Sequence, residues 1–239
     1  MLLQASNLTI TRPGDSGPVT IVSDASLSLR EGTLTDVVGP SGSGKTTLLL
    51  ALARLLPDVR GELVLQGKPA SEWSPQEWRT RVALLPQTSS MVTGSVAANL
   101  LLPYTLKIRD HAGPAGMSAA GAATAASHTH APTADALRAA LDQVGLADIA
   151  LDRTAARLSV GQASRVALLR VLLTAPAVLL LDEPDAALDD ESAAQVAAMT
   201  AEFVRGGGAV VRVRHLRTDV AADALYRLEA GRLTEVTAR

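Results

Sequence analysis

The stretch Gly39-Pro40-Ser41-Gly42-Ser43-Gly44-Lys45-Thr46-Thr47 constrains this chain more than any other. It fits G-x-x-x-x-G-K-[ST], a loop that wraps phosphate groups. Thr33 to Val38, mostly β-branched or apolar, reads as a strand before it. Thr47 to Arg54 (TLLLALAR) reads as a helix after it. Strand, glycine loop and helix are the context that the motif needs. The glycines let backbone N–H groups turn inward with no Cβ in the way. Together with the positive end of the helix they make a pocket for anionic oxygens. In such a pocket Lys45 reaches the β- and γ-phosphates of a nucleotide and the Thr46 hydroxyl ligates Mg²⁺.

A second carboxylate-bearing stretch completes the chemistry. Ala177 to Asp182 (AVLLLD) is a continuous apolar run ending in acid, as a buried parallel strand reads. Asp182 is placed to serve Mg²⁺, and the adjacent Glu183 to orient or deprotonate an attacking water.

Around these two stretches the pattern is αβ. Short alternating segments over residues 2–38, and Glu62 to Leu65 between turns, predict an antiparallel sheet over about 1–38 and 60–70. Val82 to Leu85 reads as a buried strand, and Ser95 as the N-cap of a helix through Leu101. Helices are expected over Ala134 to Gln143, Ala163 to Leu173 and Asp190 to Arg205. Strands follow at Ala209 to Val213, Ala224 to Glu229 and Arg232 to Val236. Residues 107–134 are Ala/Gly/Ser-rich low complexity and read as a mobile insertion. Its histidines, His111, His128 and His130, are read as part of a solvated linker rather than a metal site.

Composition narrows the function. The net charge of −2 argues against a nucleic-acid binder. With no cysteine there are neither disulfides nor thiolate metal sites. No signal peptide or long apolar span is apparent, so membrane association is expected only through a partner. With 2% aromatic residues, Leu, Val and Ala must fill the core.

The ordered set GPSGSGKTT (39–47), Gln87, LSVGQ (158–162), VLLLDEP (178–184), AALD (186–189) and His215 resembles the ATP-binding-cassette (ABC) ATPases along essentially the whole chain. LSVGQ is the discriminating element. The resemblance implies a single ABC domain: a phosphate-loop (RecA-like) core with a mostly parallel sheet, an antiparallel β subdomain, and an α-helical subdomain over about 88–172. It implies ATP and Mg²⁺ as ligands and a head-to-tail homodimer. Each ATP is then sandwiched between one subunit's loop and the other's Ser159, Gly161 and Gln162. Gln87 is then a Mg²⁺ and water contact, His215 holds the γ-phosphate and supports Glu183, and Asp189 touches the partner subunit. The same resemblance implies an integral-membrane permease partner at the cytoplasmic face of the cell membrane.

The chain departs from the family pattern at several points, among them Ala163-Ser164-Arg165 where a more basic stretch is usual. Val160 stands where Gly is usual. Leu216 follows His215 where Asp is common. No aromatic is available to stack adenine near the end of the first strand, which leaves Arg12 for that role. Asp36 interrupts an apolar strand, and a buried carboxylate is costly unless paired. Val160, the missing aromatic and Asp36 keep a degenerate, ATP-binding regulator open as an alternative. The segment Gly94-Ser95-Val96-Ala97-Ala98-Asn99-Leu100-Leu101-Leu102-Pro103-Tyr104 resembles the ATPase subunits of bacterial Fet-type iron exporters. This implies metal export, with the importer ATPases of phosphate or other small solutes as the alternative.

Overall fold

The computed structural model describes residues 1–15, 17–88, 90–105, 131–214 and 222–236. His215, His111, His128, His130 and most of the expected insertion lie outside the described residues.

Two sheets organise the chain. The first has four strands in the order β2-β1-β4-β5: β1 (Leu3–Gly14), β2 (Gly17–Leu29), β4 (Val59–Leu65) and β5 (Lys68–Pro69), all antiparallel. The long β1–β2 hairpin carries register shifts near Asn7 and Asp24, both with positive φ, and the Asn7 amide donates to Asp24 at 2.6 Å. Such bulges bend the strands and strengthen their twist.

The second sheet has the order β10-β9-β3-β8-β7-β6. Its members are β3 (Leu34–Val38), β6 (Val82–Leu85), β7 (Val178–Asp182), β8 (Ala209–Arg214), β9 (Ala224–Glu229) and β10 (Arg232–Glu235). All pairings are parallel except β9 with β10 at the edge. Strands β7 and β8 are buried along their whole length. That is why β7 reads as a continuous apolar run, while β8 carries the buried Arg212 and Arg214 in an otherwise apolar stretch.

Among the described residues six α-helices complete the fold: α1 (Lys45–Leu52), α2 (Pro75–Arg81), α3 (Val96–Leu101), α4 (Ala134–Gln143), α5 (Val160–Leu172) and α6 (Asp190–Arg205). Period-two alternation in the parallel sheet divides the core. Val178 and Leu180 of β7, with Ala209, Val211 and Val213 of β8, join α1 and the antiparallel sheet in one cluster. Leu179, Leu181 and Val210 face the other way, toward buried side chains of α3 to α6. One sheet face therefore meets the loop helix and the other meets the helical layer.

Two local differences from the sequence expectation have clear causes. Helix α5 starts at Val160, three residues early, because Ser159 and Gln162 form a capping box. Helix α2 is not among the elements that the hydrophobic pattern picks out. Its signal is Ser74-Pro75-Gln76-Glu77, a capping box with Pro at the first helical position. Trp78 anchors it, fully buried, with Nε1 donating to the Leu52 carbonyl at 2.8 Å.

Candidate active site

In parallel sheets, ligands gather beyond the carboxyl ends of the strands. Three such ends meet here. The glycine loop leaves β3, Asp182 closes β7, and β8 lies between them.

The loop is held by close backbone approach. A Cβ on Gly39 would overlap the Leu228 carbonyl of β9. Gly44, at φ 101, caps α1, and a Cβ there would sit 2.9 Å from the Ile21 side chain. Pro40, Ser41 and Gly42 are exposed, while Ser43 and Gly44 are half-buried. Lys45 is buried, and its Nζ donates to the Gly39 and Pro40 carbonyls at 3.0 Å each. The Ser43 hydroxyl is buried with no hydrogen-bond partner among the described residues. An orphaned hydroxyl, a lysine resting on its own loop's carbonyls and a cradle with no room for a Cβ at Gly39 or Gly44 fit an incoming polyphosphate.

Across from the loop, the Thr46 hydroxyl donates to Asp182 Oδ2 at 2.8 Å. Burial holds the Asp182 carboxyl above the usual aspartate range, against the opposing pull of the Thr46 hydrogen bond. Alternation sends Asp182 to the same face as Val178 and Leu180, which is the face that α1 covers. Glu183 follows in the left-handed region, φ 48, so its carboxylate leaves the strand in a different direction. The Gln87 amide donates to Glu183 Oε2 at 2.9 Å. Residues from the ends of β6 and β7 and from the loop helix therefore converge: Lys45, Thr46, Gln87, Asp182 and Glu183.

The remaining candidates form a separate group. Ser159 Oγ accepts from the Gln162 N–H at 3.2 Å, and Gln162 Oε1 accepts from the Ser159 N–H at 3.0 Å. Gly161 is buried so tightly against α6 that a Cβ would run into the Ser192 hydroxyl. Arg165 braces this helix start with bonds to the Val144 and Gly145 carbonyls. Asp189 caps α6, accepting from the Ser192 N–H at 2.7 Å, and that bond holds its carboxyl below the usual range. Val160 is 63% exposed. Among the described residues, no hydrogen bond or ion pair joins 158–162 to 39–47. Arg12 is exposed on β1, where its backbone partner is Val19.

Asp185 and Arg214 are the residues that sequence reading missed. Arg214 Nη2 meets Asp185 Oδ2 at 3.2 Å beside the Glu183 turn. The one signal was a second acid just after DEP and an arginine ending an apolar strand.

A glycine cradle, a buried lysine, and a hydroxyl bound to a strand-end aspartate with glutamate beside it define a phosphate-loop nucleotide-binding site. The comparisons narrow this class. The ABC transporter family profile matches residues 22–186. The chain is 36% identical over 241 residues to the hemin import ATP-binding protein HmuV of Nocardia farcinica (strain IFM 10152), covering 97% of this chain and 75% of that protein. It is 30% identical over 224 residues to the probable iron export ATP-binding protein FetA of Escherichia coli (strain K12), covering 92% of this chain and 90% of that one. Among solved structures, the ATP-binding cassette MJ0796, a dimeric post-hydrolysis state bound to ADP and Pi, superposes with a TM-score of 0.77. That match covers 100% of this chain and 99% of the other, at 22% identity, and shows the fold. The chain belongs to the ABC transporter family, as one of its ATP-binding ATPase domains.

Proposed function

We propose that this chain binds and hydrolyses Mg-ATP as the motor subunit of a membrane transporter, dimerising on ATP against a separate permease. The convergence of Thr46 and Asp182 on one side with Gln87 and Glu183 on the other carries this reading. The loop from Gly39 to Thr47 cradles the phosphates, and Lys45 leaves the Gly39 and Pro40 carbonyls for the β- and γ-phosphates. Thr46, Asp182 and Gln87 are the residues that would hold Mg²⁺, which neutralises charge on the β- and γ-phosphate oxygens when bound. Glu183 accepts the proton of the water that attacks the γ-phosphorus, as the bond to the ADP oxygen breaks. His215 is assigned to the γ-phosphate, and Arg12 to stacking on adenine.

The Ser159–Gly161 group supplies the second half of a sandwich in the partner subunit. Because Ser159 Oγ accepts from the Gln162 N–H, its own proton can be donated to a phosphate oxygen. The close seat of Gly161 on Ser192 steadies the start of α5, whose N–H groups attract anions. Asp189 lies at the start of α6, available to the opposite subunit.

No helix among the described residues is long and apolar enough to cross a membrane. We assign the chain to the cytoplasmic face of the cell membrane, held there by its permease. The cargo we assign is an iron species, exported. The segment from Gly94 to Tyr104 matches the Fet-type pattern, and FetA is covered nearly end to end. The higher identity to HmuV favours the opposite direction, import of an iron complex.

The test is a Mg-ATPase assay on the purified chain, with Glu183→Gln examined by light scattering in saturating ATP. Turnover by wild type and an ATP-trapped dimer of the variant are expected. Binding without turnover in wild type would make the chain a regulator, and a monomeric variant would sink the sandwich. Capture of tagged Glu183→Gln with ATP from solubilised membranes should recover a polytopic permease. Export predicts excess intracellular iron in a strain lacking the chain, and import predicts a deficit.

A further inference from the structure

We infer that Asp185 and Arg214 form a positioning clamp that aims Glu183 during ATP hydrolysis. The inference rests on the hydrolytic reading above. Arg214 is the last residue of β8, with its side chain only 4% exposed. It meets Asp185, 18% exposed, two residues beyond Glu183. An ion pair this far from water is directional and holds its partners in place.

The geometry around Glu183 explains why a clamp is needed. Glu183 sits at φ 48, a conformation that side chains with a Cβ disfavour. Such residues persist only where their surroundings over-determine them. Two anchors on β8 do so here. The Glu183 N–H donates to the Val213 carbonyl at 3.1 Å, and the Asp185 carboxylate is held by Arg214 one residue further on. Between the anchors the turn closes on itself, the Ala186 N–H donating to the Glu183 carbonyl at 3.3 Å. Gln87 then meets a carboxylate that the backbone has already directed.

The ion pair runs between Asp185 and Arg214, neither of which is itself assigned a contact with nucleotide. Loss of the pair should therefore separate turnover from affinity. Asp185→Ala is expected to lower kcat about tenfold or more, since small misplacements of a reacting group are costly. KM for ATP and the Kd of a fluorescent ADP analogue should stay within about twofold, because binding is not its task. Asp185→Glu should restore most of the loss, and Arg214→Lys, which keeps the charge but loses the fork, only part of it.

Each outcome decides something. Full turnover in Asp185→Ala overturns the clamp. So does a parallel fall in kcat, nucleotide affinity and Tm, which marks a structural role alone. Absence of hydrolysis by wild type defeats the motor reading and the clamp with it, whereas an active wild type with an unaffected variant defeats only the clamp.

Discussion

Arg212 grips Asp36 with two nitrogens, Nε to Oδ1 at 2.8 Å and Nη2 to Oδ2 at 3.0 Å, in the middle of the parallel sheet. The two are register partners on neighbouring strands β3 and β8, and both side chains are under 10% exposed. This answers the anomaly of a carboxylate in an apolar strand: the charge is neutralised by a planar fork that satisfies both oxygens. Removing one partner strands the other. Arg212→Met should cost about 3–5 kcal/mol, and the double variant Asp36→Leu/Arg212→Met should recover most of it. Urea denaturation measures both. A single variant as stable as wild type would show that the pair is not sealed from water.

Glu183→Gln keeps the size of the side chain and a hydrogen-bonding group for Gln87 but removes the base. Turnover should fall by about 100-fold or more, the ordinary worth of a positioned base. ATP affinity should be unchanged. Single-turnover kinetics with radiolabelled ATP separate the two, and retained hydrolysis would move the base elsewhere.

Lys45→Ala removes a buried ammonium that, among the described residues, donates to the Gly39 and Pro40 carbonyls. The loop should keep its fold while ATP affinity drops roughly 10–100-fold, the worth of one or two charge-assisted hydrogen bonds. Calorimetric titration with ATP is the check, and unchanged affinity would remove the loop from its assigned role.

Asp182 gives a pH-dependent prediction. Its folded-state pKa is raised by burial. Between the unfolded and folded values the native state holds the extra proton, so stability falls as pH rises through that window. Above it, the full cost of the buried charge is present. Asp182→Asn, which still accepts from Thr46, should therefore melt at or above the wild-type temperature at neutral pH without nucleotide. The difference should vanish below about pH 4, where the unfolded carboxyl is protonated as well. Mg-ATPase activity should be lost throughout. An apo variant clearly less stable at neutral pH would mean that the carboxylate is stabilising as it stands.

Much of this protein was legible because much of it is local. Helix α4, helix α6 and strand β6 run where the residue pattern puts them, since hydrophobic period and capping residues act over a few positions. Ser95 caps α3 as its position suggests. The phosphate loop is likewise a local object, needing only glycines, a lysine and its flanking elements. The same locality explains the slip at α5, where Ser159 and Gln162 start the helix three residues ahead of the apolar pattern.

Tertiary structure decided what lies far apart in the chain. Asp36 and Arg212 are separated by 176 positions, and nothing near either one names the other. They meet because β8 inserts between β3 and β7, and because alternation puts them on the same face of the sheet. The same insertion brings Arg214 to Asp185, and the carbonyl of Val213 to the Glu183 amide. The residue types that can touch phosphate follow from the sequence alone. Which charges pair, and what aims the glutamate, follows from strand order and facing, because ion pairs depend on distance and burial that only the folded sheet creates.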